Sequence, residues 1–255
     1  MKTPIEISKK FIDIGKAKAS LSAINTLLLG VLAGMFIALA GVASCFASIY
    51  ATKFAGSLIF AAGLAMVIIA GSELFTGNCL IIVSVLQKKV KAWSMLRNWV
   101  LVYIGNLVGG LLVAALVVFS GTVDLVSATV TATAAAKCGI DFWEALMRGV
   151  LCNVLVCIAV WMACADDTAA GKVITVILPI AAFVVCGYEH CVANMYFIPA
   201  GLFSELRSGI DLVDLSWGGM FINNLIPVTI GNIIGGSGLV GAMYWFIYLK
   251  GKKED

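Results

Sequence analysis

Charge is what this sequence has least of. Only 12% of its 255 residues are Asp, Glu, Lys or Arg, while 62% are hydrophobic; a soluble domain carries about 25% charge. Such a chain lacks the charged surface that water requires, and its mean hydropathy of +1.05 agrees. Nearly every residue falls in a long apolar stretch, which excludes a sizeable soluble domain. The formal net charge of +3 is too small to point to nucleic acid. The chain has no Walker loop, no GxGxxG in a βαβ setting, no HExxH and no nucleophile elbow. These absences argue against ATP-driven pumping and imply no cofactor. Eight cysteines are present (Cys45, Cys79, Cys138, Cys152, Cys157, Cys164, Cys186 and Cys191), but none forms a CxxC pair. They read as buried thiols acting as small apolar side chains, with neither a disulfide framework nor a metal site implied.

What the chain has in abundance is apolar length. Its first run, Ile24–Tyr50, exceeds the 7–15-residue core of a signal peptide and reads as a retained span. Crossing a bilayer takes about 20 apolar residues. On that measure six spans follow: about 24–50, within 54–86, about 99–119, about 142–164, within 173–204 and about 220–249. The expected fold class is an all-α membrane protein with six transmembrane helices at 24–249, preceded by segment 1–23 and followed by a tail, 250–255. In the first segment, lysines alternate with Ile5, Ile7, Phe11, Ile12 and Ile14. Two states fit that pattern: a helix lying in the headgroup layer, or a disordered tail. Trp93, Trp99, Trp143, Trp217 and Trp245 fall near predicted span ends, where an interfacial belt is the default.

Spans two and five are too long for simple crossings. Between Lys53 and Gln87 lie 33 residues whose only charge is Glu73, and between Lys172 and Glu205 lie 32 that include Glu189 and His190. A straight helix of that length would extend about 50 Å at ~1.5 Å per residue, against a hydrocarbon core of about 30 Å. Each run carries its polar residues in the middle, at 71–78 and 187–194, each stretch opening with a glycine, Gly71 and Gly187. Glycine permits backbone conformations that end a helix. Both runs therefore read as two half-helices joined by non-helical chain, which membranes tolerate only inside protein or along a cavity.

The sequence also echoes itself. Gly105-Asn106-Leu107-Val108-Gly109-Gly110 in span three returns as Gly231-Asn232-Ile233-Ile234-Gly235-Gly236 in span six. Each half thus reads as a plain span, an interrupted span and a Gly-rich span. Three spans is an odd number, so the second half is inverted, a plan that recurs among transport proteins. Thirteen of the seventeen Lys and Arg residues fall on the side of the two termini, among them Lys252 and Lys253, and three on the other. That bias places both termini in the cytoplasm.

Charges within a span are costly and need reasons. Glu73 and Glu189 read as structural, each carboxylate accepting backbone N–H groups freed at a break. His190, beside the second break, reads as a group on a pathway, with a reference pKa of about 6.5 that allows it to donate or accept near neutrality. Thr76, at the first break, has two readings of equal standing: a hydroxyl on the pathway, or one bonded back to its own helix. Glu144 and Arg148 stand four apart on one helix face and suit an ion pair.

Glu-Leu-Phe-Thr-Gly-Asn at 73–78 and Gly-Tyr-Glu-His-Cys-Val-Ala-Asn-Met at 187–195 resemble the motifs of the formate/nitrite transporter family. Leu-Cys-Asn-Val-Leu-Val-Cys at 151–157 and Asn-Leu-Ile-Pro-Val-Thr-Ile-Gly-Asn at 224–232 agree, in the same order along the chain. The resemblance implies an aquaporin-like protomer in a homopentamer, with a pore through each protomer for formate, nitrite or hydrosulfide. It implies that His190 and Thr76 face each other in that pore and that Lys137 supplies field to it. Phe60, Leu64 and Phe183 match one apolar constriction, and Leu74, Phe75 and Val156 the inner one. Cys191 stands where relatives often carry serine.

The expected function is therefore passage of a small monovalent anion across the cell (inner) membrane, either passive or proton-coupled, by a protein that is not an enzyme. A neutral-solute pore is the alternative, although the paired Asn-Pro-Ala motifs of aquaporins are missing. A redox subunit using the thiols is a third reading, from another class.

Overall fold

The computed structural model describes residues 1–209 and 215–251, and among them the secondary structure is entirely helical. We number its helices α1 (Pro4–Ser20), α2 (Ala23–Tyr50), α3 (Lys53–Ala70), α4 (Phe75–Leu86), α5 (Ala92–Phe119), α6 (Ser127–Cys138), α7 (Phe142–Ala163), α8 (Ala169–Val185), α9 (Cys191–Ser208) and α10 (Trp217–Tyr248). Of the expected tail, residues 252–255 with Lys252 and Lys253 lie outside the described residues.

Helix starts follow local chemistry. Ser22, Thr52, Asp141 and Thr168 cap α2, α3, α7 and α8 by accepting backbone N–H bonds with their side-chain oxygens. Helices α2, α3, α5, α7 and α10 are long and apolar enough to cross a membrane. Their outward faces carry large apolar residues such as Leu28, Leu32 and Leu39 on α2, and Ile104, Val108 and Leu112 on α5. The two overlong runs are each divided. Helix α3 ends at Gly71 (φ 75°) and α4 begins at Phe75; α8 ends at Val185, Gly187 has φ 71°, and α9 begins at Cys191. A positive φ is the left-handed conformation that favours glycine.

Small residues set the spacing of α2 on α5 and of α7 on α10. A Cβ added to Gly109 would lie 2.1 Å from the Val31 carbonyl oxygen, and one on Gly235 would lie 2.2 Å from that of Val150. Both glycines belong to the repeated Gly-Asn-x-x-Gly-Gly motif, so the motif marks the same close backbone approach in each half. The halves differ in winding: α5 is a regular α-helix, whereas α10 carries π-helical stretches at Met220–Leu225 and Ile234–Ala242.

Three regions differ from the sequence-based expectation or resolve it. The N-terminal segment is an ordered helix, opened by a capping box between Thr3 and Glu6. It is packed rather than free: Ile7, Phe11 and Ile12 are buried, Phe11 stacks on Trp161 at 4.7 Å, and Ser84 Oγ donates to the Phe11 and Ile12 carbonyls at 3.1 and 2.9 Å. Helix α6 occupies what reads from the sequence as a connection, because alanines and threonines form a helix without the apolar run that flags a span. Trp99 does not join an interfacial belt. It is buried, and its indole N–H donates to the Asn78 carbonyl at 3.0 Å.

The glycine contacts give a direct test. Gly109→Ala and Gly235→Ala should each lower stability by about 1–3 kcal/mol, the range for overpacking a close contact. Gly238→Ala, where a Cβ meets nothing within 4 Å, should be tolerated. Unfolding in detergent, monitored by circular dichroism, separates these outcomes.

Candidate functional site at the helix breaks

Unwinding inside a bilayer frees backbone groups that only protein can satisfy. At the first break, the Phe75 N–H donates to Asn106 Oδ1 at 3.0 Å, and Asn106 Nδ2 donates to the carbonyls of Gly30 and Glu73 at 2.8 and 2.9 Å. At the second, the Cys191 N–H donates to Asn232 Oδ1 at 3.0 Å, and Asn232 Nδ2 donates to the carbonyls of Gly149 and Glu189 at 2.8 and 3.0 Å. One asparagine from the Gly-rich helix thus closes each break with the same three bonds.

The glutamates do something other than the expected capping of freed N–H groups. Glu73 accepts from Lys18 Nζ at 2.6 Å and from Asn78 Nδ2 at 2.7 Å. Asn78 also donates to Asn98 Oδ1 at 2.8 Å, and Asn98 returns a bond to the Lys18 carbonyl at 3.2 Å. In the second half, Glu189 accepts from Lys137 Nζ at 2.8 and 3.0 Å and from Asn194 Nδ2 at 2.6 Å. Asn194 donates to Asn224 Oδ1 at 2.6 Å, and Asn224 returns a bond to the Lys137 carbonyl at 3.0 Å. Both carboxylates are buried. A buried charge is tolerated when paired and hydrogen-bonded, and each ring supplies both. Lys137 ends α6, the helix the sequence concealed, and Lys18 ends α1.

Sequence reading missed Lys18 and the four ring asparagines. A signal for them was present: Asn98 and Asn106 are eight apart, as are Asn224 and Asn232, while Glu73–Asn78 and Glu189–Asn194 are each five apart. Two like spacings in each half mark one framework used twice.

Within that framework the two breaks carry different side chains. Register from Glu73 to Glu189 sets Leu74 against His190, Phe75 against Cys191 and Thr76 against Val192. Thr76 Oγ1 and His190 Nε2 nevertheless meet at 2.9 Å. The other ring nitrogen, Nδ1, accepts from the Ala193 N–H at 3.0 Å, so His190 is also the N-cap of α9. A nitrogen that accepts carries no proton, so the neutral ring holds its proton on Nε2 and donates it to Thr76 Oγ1. Thr76 keeps its own hydroxyl proton for another partner.

Apolar side chains enclose this pair. Phe183 stacks on the imidazole at 5.8 Å, and Phe60 meets Phe183 edge-on, also at 5.8 Å. Phe60, Leu64, Leu74, Phe75, Val156 and Phe183 are all buried in one continuous cluster. Leu64 and Leu74 also line a cavity of about 350 Å³, whose far wall is α1 and whose polar lining includes Lys18, Glu73 and Asn78. Glu144 and Arg148 pair on the outward face of α7, away from this cluster.

Residues 5–246 match the family described as Formate/nitrite transporter. The chain belongs to that family. The formate channel FocA of Haemophilus influenzae is 38% identical over 267 aligned positions, covering 96% of this chain and 94% of that protein. A probable formate transporter of Methanothermobacter thermautotrophicus is 38% identical and covers 98% of both. Among solved structures, a pentameric formate channel with formate bound superposes with a TM-score of 0.77 at 34% identity, covering 89% of this chain and 98% of that one. A further ion channel of the family gives 0.82 at 28% identity over 95% and 98%. Family membership and the apolar helices make this a membrane protein of the transporter class.

The ring geometry predicts a graded cost. Lys137→Met strands a buried carboxylate and should destabilise by about 3–5 kcal/mol, with most of the loss recovered when Glu189→Gln is added. Lys18→Met should cost less, because Lys18 is more exposed (25% against 17%). Chemical denaturation of the three proteins in detergent measures both differences.

Proposed function

We propose that this protein is a passive pathway for a small monovalent anion, formate in the first instance, through each protomer of a homopentamer. Formate and the pentamer come from the relatives, which are named as formate channels and, in one solved structure, as pentameric. The site residues come from the resemblance, and their burial around one polar contact supports them. Counting α3 with α4, and α8 with α9, as one crossing each gives six spans. The excess of basic residues beside the termini supports a topology with both ends in the cytoplasm, and the reading sets the protein in the cell's inner membrane.

The observation that carries the reading is the 2.9 Å contact between Thr76 and His190 amid the apolar cluster. An anion stripped of water there faces a cost of many kcal/mol unless it is paired or neutralised. Lys18 on one side and Lys137 on the other attract it, and the N-termini of α4 and α9 add positive field. At the centre Thr76 offers its hydroxyl proton as a hydrogen bond, oriented by the His190 Nε2–H. Phe60, Leu64 and Phe183, with Leu74, Phe75 and Val156, form the apolar constrictions that a neutral solute passes more easily than a charged one. Gly71 and Gly187 allow the turns on which this arrangement depends, and Glu73 and Glu189 anchor the lysines.

His190 is built to hydrogen-bond rather than to surrender a proton. An imidazolium would carry a proton on Nδ1 as well, facing the Ala193 N–H that Nδ1 now caps. The proton that neutralises the anion therefore comes with the solute from water, and the weak acid crosses the seal. Asparagine keeps the cap bond, since its amide oxygen stands where Nδ1 does and accepts at a helix N-cap, but it falls short of Thr76.

Formate uptake into proteoliposomes should exceed that of empty liposomes and rise as external pH falls. His190→Asn should lower the rate and keep that pH dependence. A flat pH profile in the variant would assign the proton to the ring, and an unchanged rate at every pH would remove His190 from the mechanism. Uptake of glycerol without formate would favour the neutral-solute pore.

A further inference from the structure

The two lysine rings use the same residue types but differ around the ammonium: Lys18 Nζ bonds one oxygen of Glu73, at 2.6 Å, and the second ring adds an aromatic neighbour. Lys137 Nζ bonds both oxygens of Glu189, at 2.8 and 3.0 Å, and also lies 5.7 Å from the centroid of the Phe197 ring. An ammonium has three N–H donors, so at least one is left over by the two carboxylate oxygens, with the Phe197 ring 5.7 Å away. In the other half the repeat sets Ile81 at the position of Phe197, an aliphatic residue that offers a cation nothing comparable. Phe197 is also tied to the apolar seal. Its ring stacks on Phe60 at 6.4 Å, Phe60 meets Phe183, and Phe183 stacks on His190. An unbroken row of rings thus joins the Lys137 ammonium to the central imidazole.

We propose that Phe197 is a positioning residue that holds the Lys137 ammonium ready for anions and so sets the anion concentration that half-saturates transport. The proposal rests on the anion-pathway reading. Its physical core is the difference between two ways of occupying the third N–H. A hydroxyl, carbonyl or carboxylate oxygen there would form a charge-assisted hydrogen bond and compete with an arriving anion. An aromatic face attracts the cation through its quadrupole, more weakly and without claiming a specific N–H. The ring therefore keeps the ammonium in place and sparsely hydrated whether or not an anion is bound, so that less of the protein is ready for the anion once the ring is weakened. Glu189 fixes where the charge sits; Phe197 fixes how available it is.

Replacing Phe197 with mono-, di- and trifluorinated phenylalanine weakens the ring quadrupole at nearly constant size. The half-saturating formate concentration in proteoliposomes should rise stepwise along that series. It should rise between about 2-fold and about 30-fold in Phe197→Leu, the range spanned by cation–π energies. Phe197→Tyr should stay near wild type, with the limiting rate little changed throughout. Half-saturation unaltered by fluorination, or an order that follows side-chain volume, would reduce Phe197 to packing and overturn the proposal. Wild-type protein that carries no formate beyond empty liposomes would instead refute the anion reading, and this proposal with it.

Discussion

A chain that leaves its helix inside a bilayer must find a protein partner for every N–H and C=O it frees. Here Asn106 and Asn232 each take one freed N–H and bind two carbonyls, while the Glu73 and Glu189 N–H groups donate to the Leu29 and Arg148 carbonyls. The positions of Thr76, His190, Phe75 and Cys191 all follow from those bonds. Asn106 and Asn232 in turn sit where they do because the glycines around them bring α5 and α10 within backbone contact of α2 and α7. Removing a hydrogen from Gly109 or Gly235 in favour of a methyl group would push away the helix that holds the asparagine. Close helix packing and site geometry are thus a single constraint.

The duplicated framework explains how an asymmetric centre is kept rigid. Each half repeats Lys, Glu and two asparagines in the same ring, yet the three positions after the glutamate differ: Leu74, Phe75 and Thr76 against His190, Cys191 and Val192. The framework residues are tied to one another and to the backbone by hydrogen bonds, although Asn194 Oδ1 is buried without a partner among the described residues. Of these differing residues, Thr76 and His190 meet across the centre, a hydrogen-bonded pair rather than two of a kind.

Much of this was legible in the sequence because membrane length is a strong ruler. Two runs of more than 30 apolar residues, each opened at mid-length by glycine and glutamate, had to break, and the breaks lie at Gly71 and Gly187. The all-helical class and the family followed from hydropathy and from four motifs. The partners of the glutamates were not legible. Lys18 and Lys137 sit far from Glu73 and Glu189 in the chain, and a lysine near a span end reads first as a topology signal. Helix α6 was hidden because Ser127–Cys138 is neither apolar enough for a span nor strongly amphipathic. Trp99 was misread because position near a span end says nothing about which way an indole faces; the Asn78 carbonyl decides that.

The last consequence concerns where discrimination between charged and neutral solutes arises. The lysines lie outside the apolar cluster, and the one hydroxyl proton at its centre belongs to Thr76. On the proposed pathway, attraction by the lysines would raise the local concentration of anion on either side, and would also hold the anion back from the seal. The seal, with its aromatic and leucine side chains, penalises charge. An anion concentrated beside a barrier it cannot cross is one whose protonated form is also supplied there, by exchange with water. Selectivity for weak acids over permanently charged anions then needs no binding pocket shaped to the solute. On the proposed pathway it would follow from setting a glutamate-paired lysine on each side of an apolar centre where Thr76 meets His190.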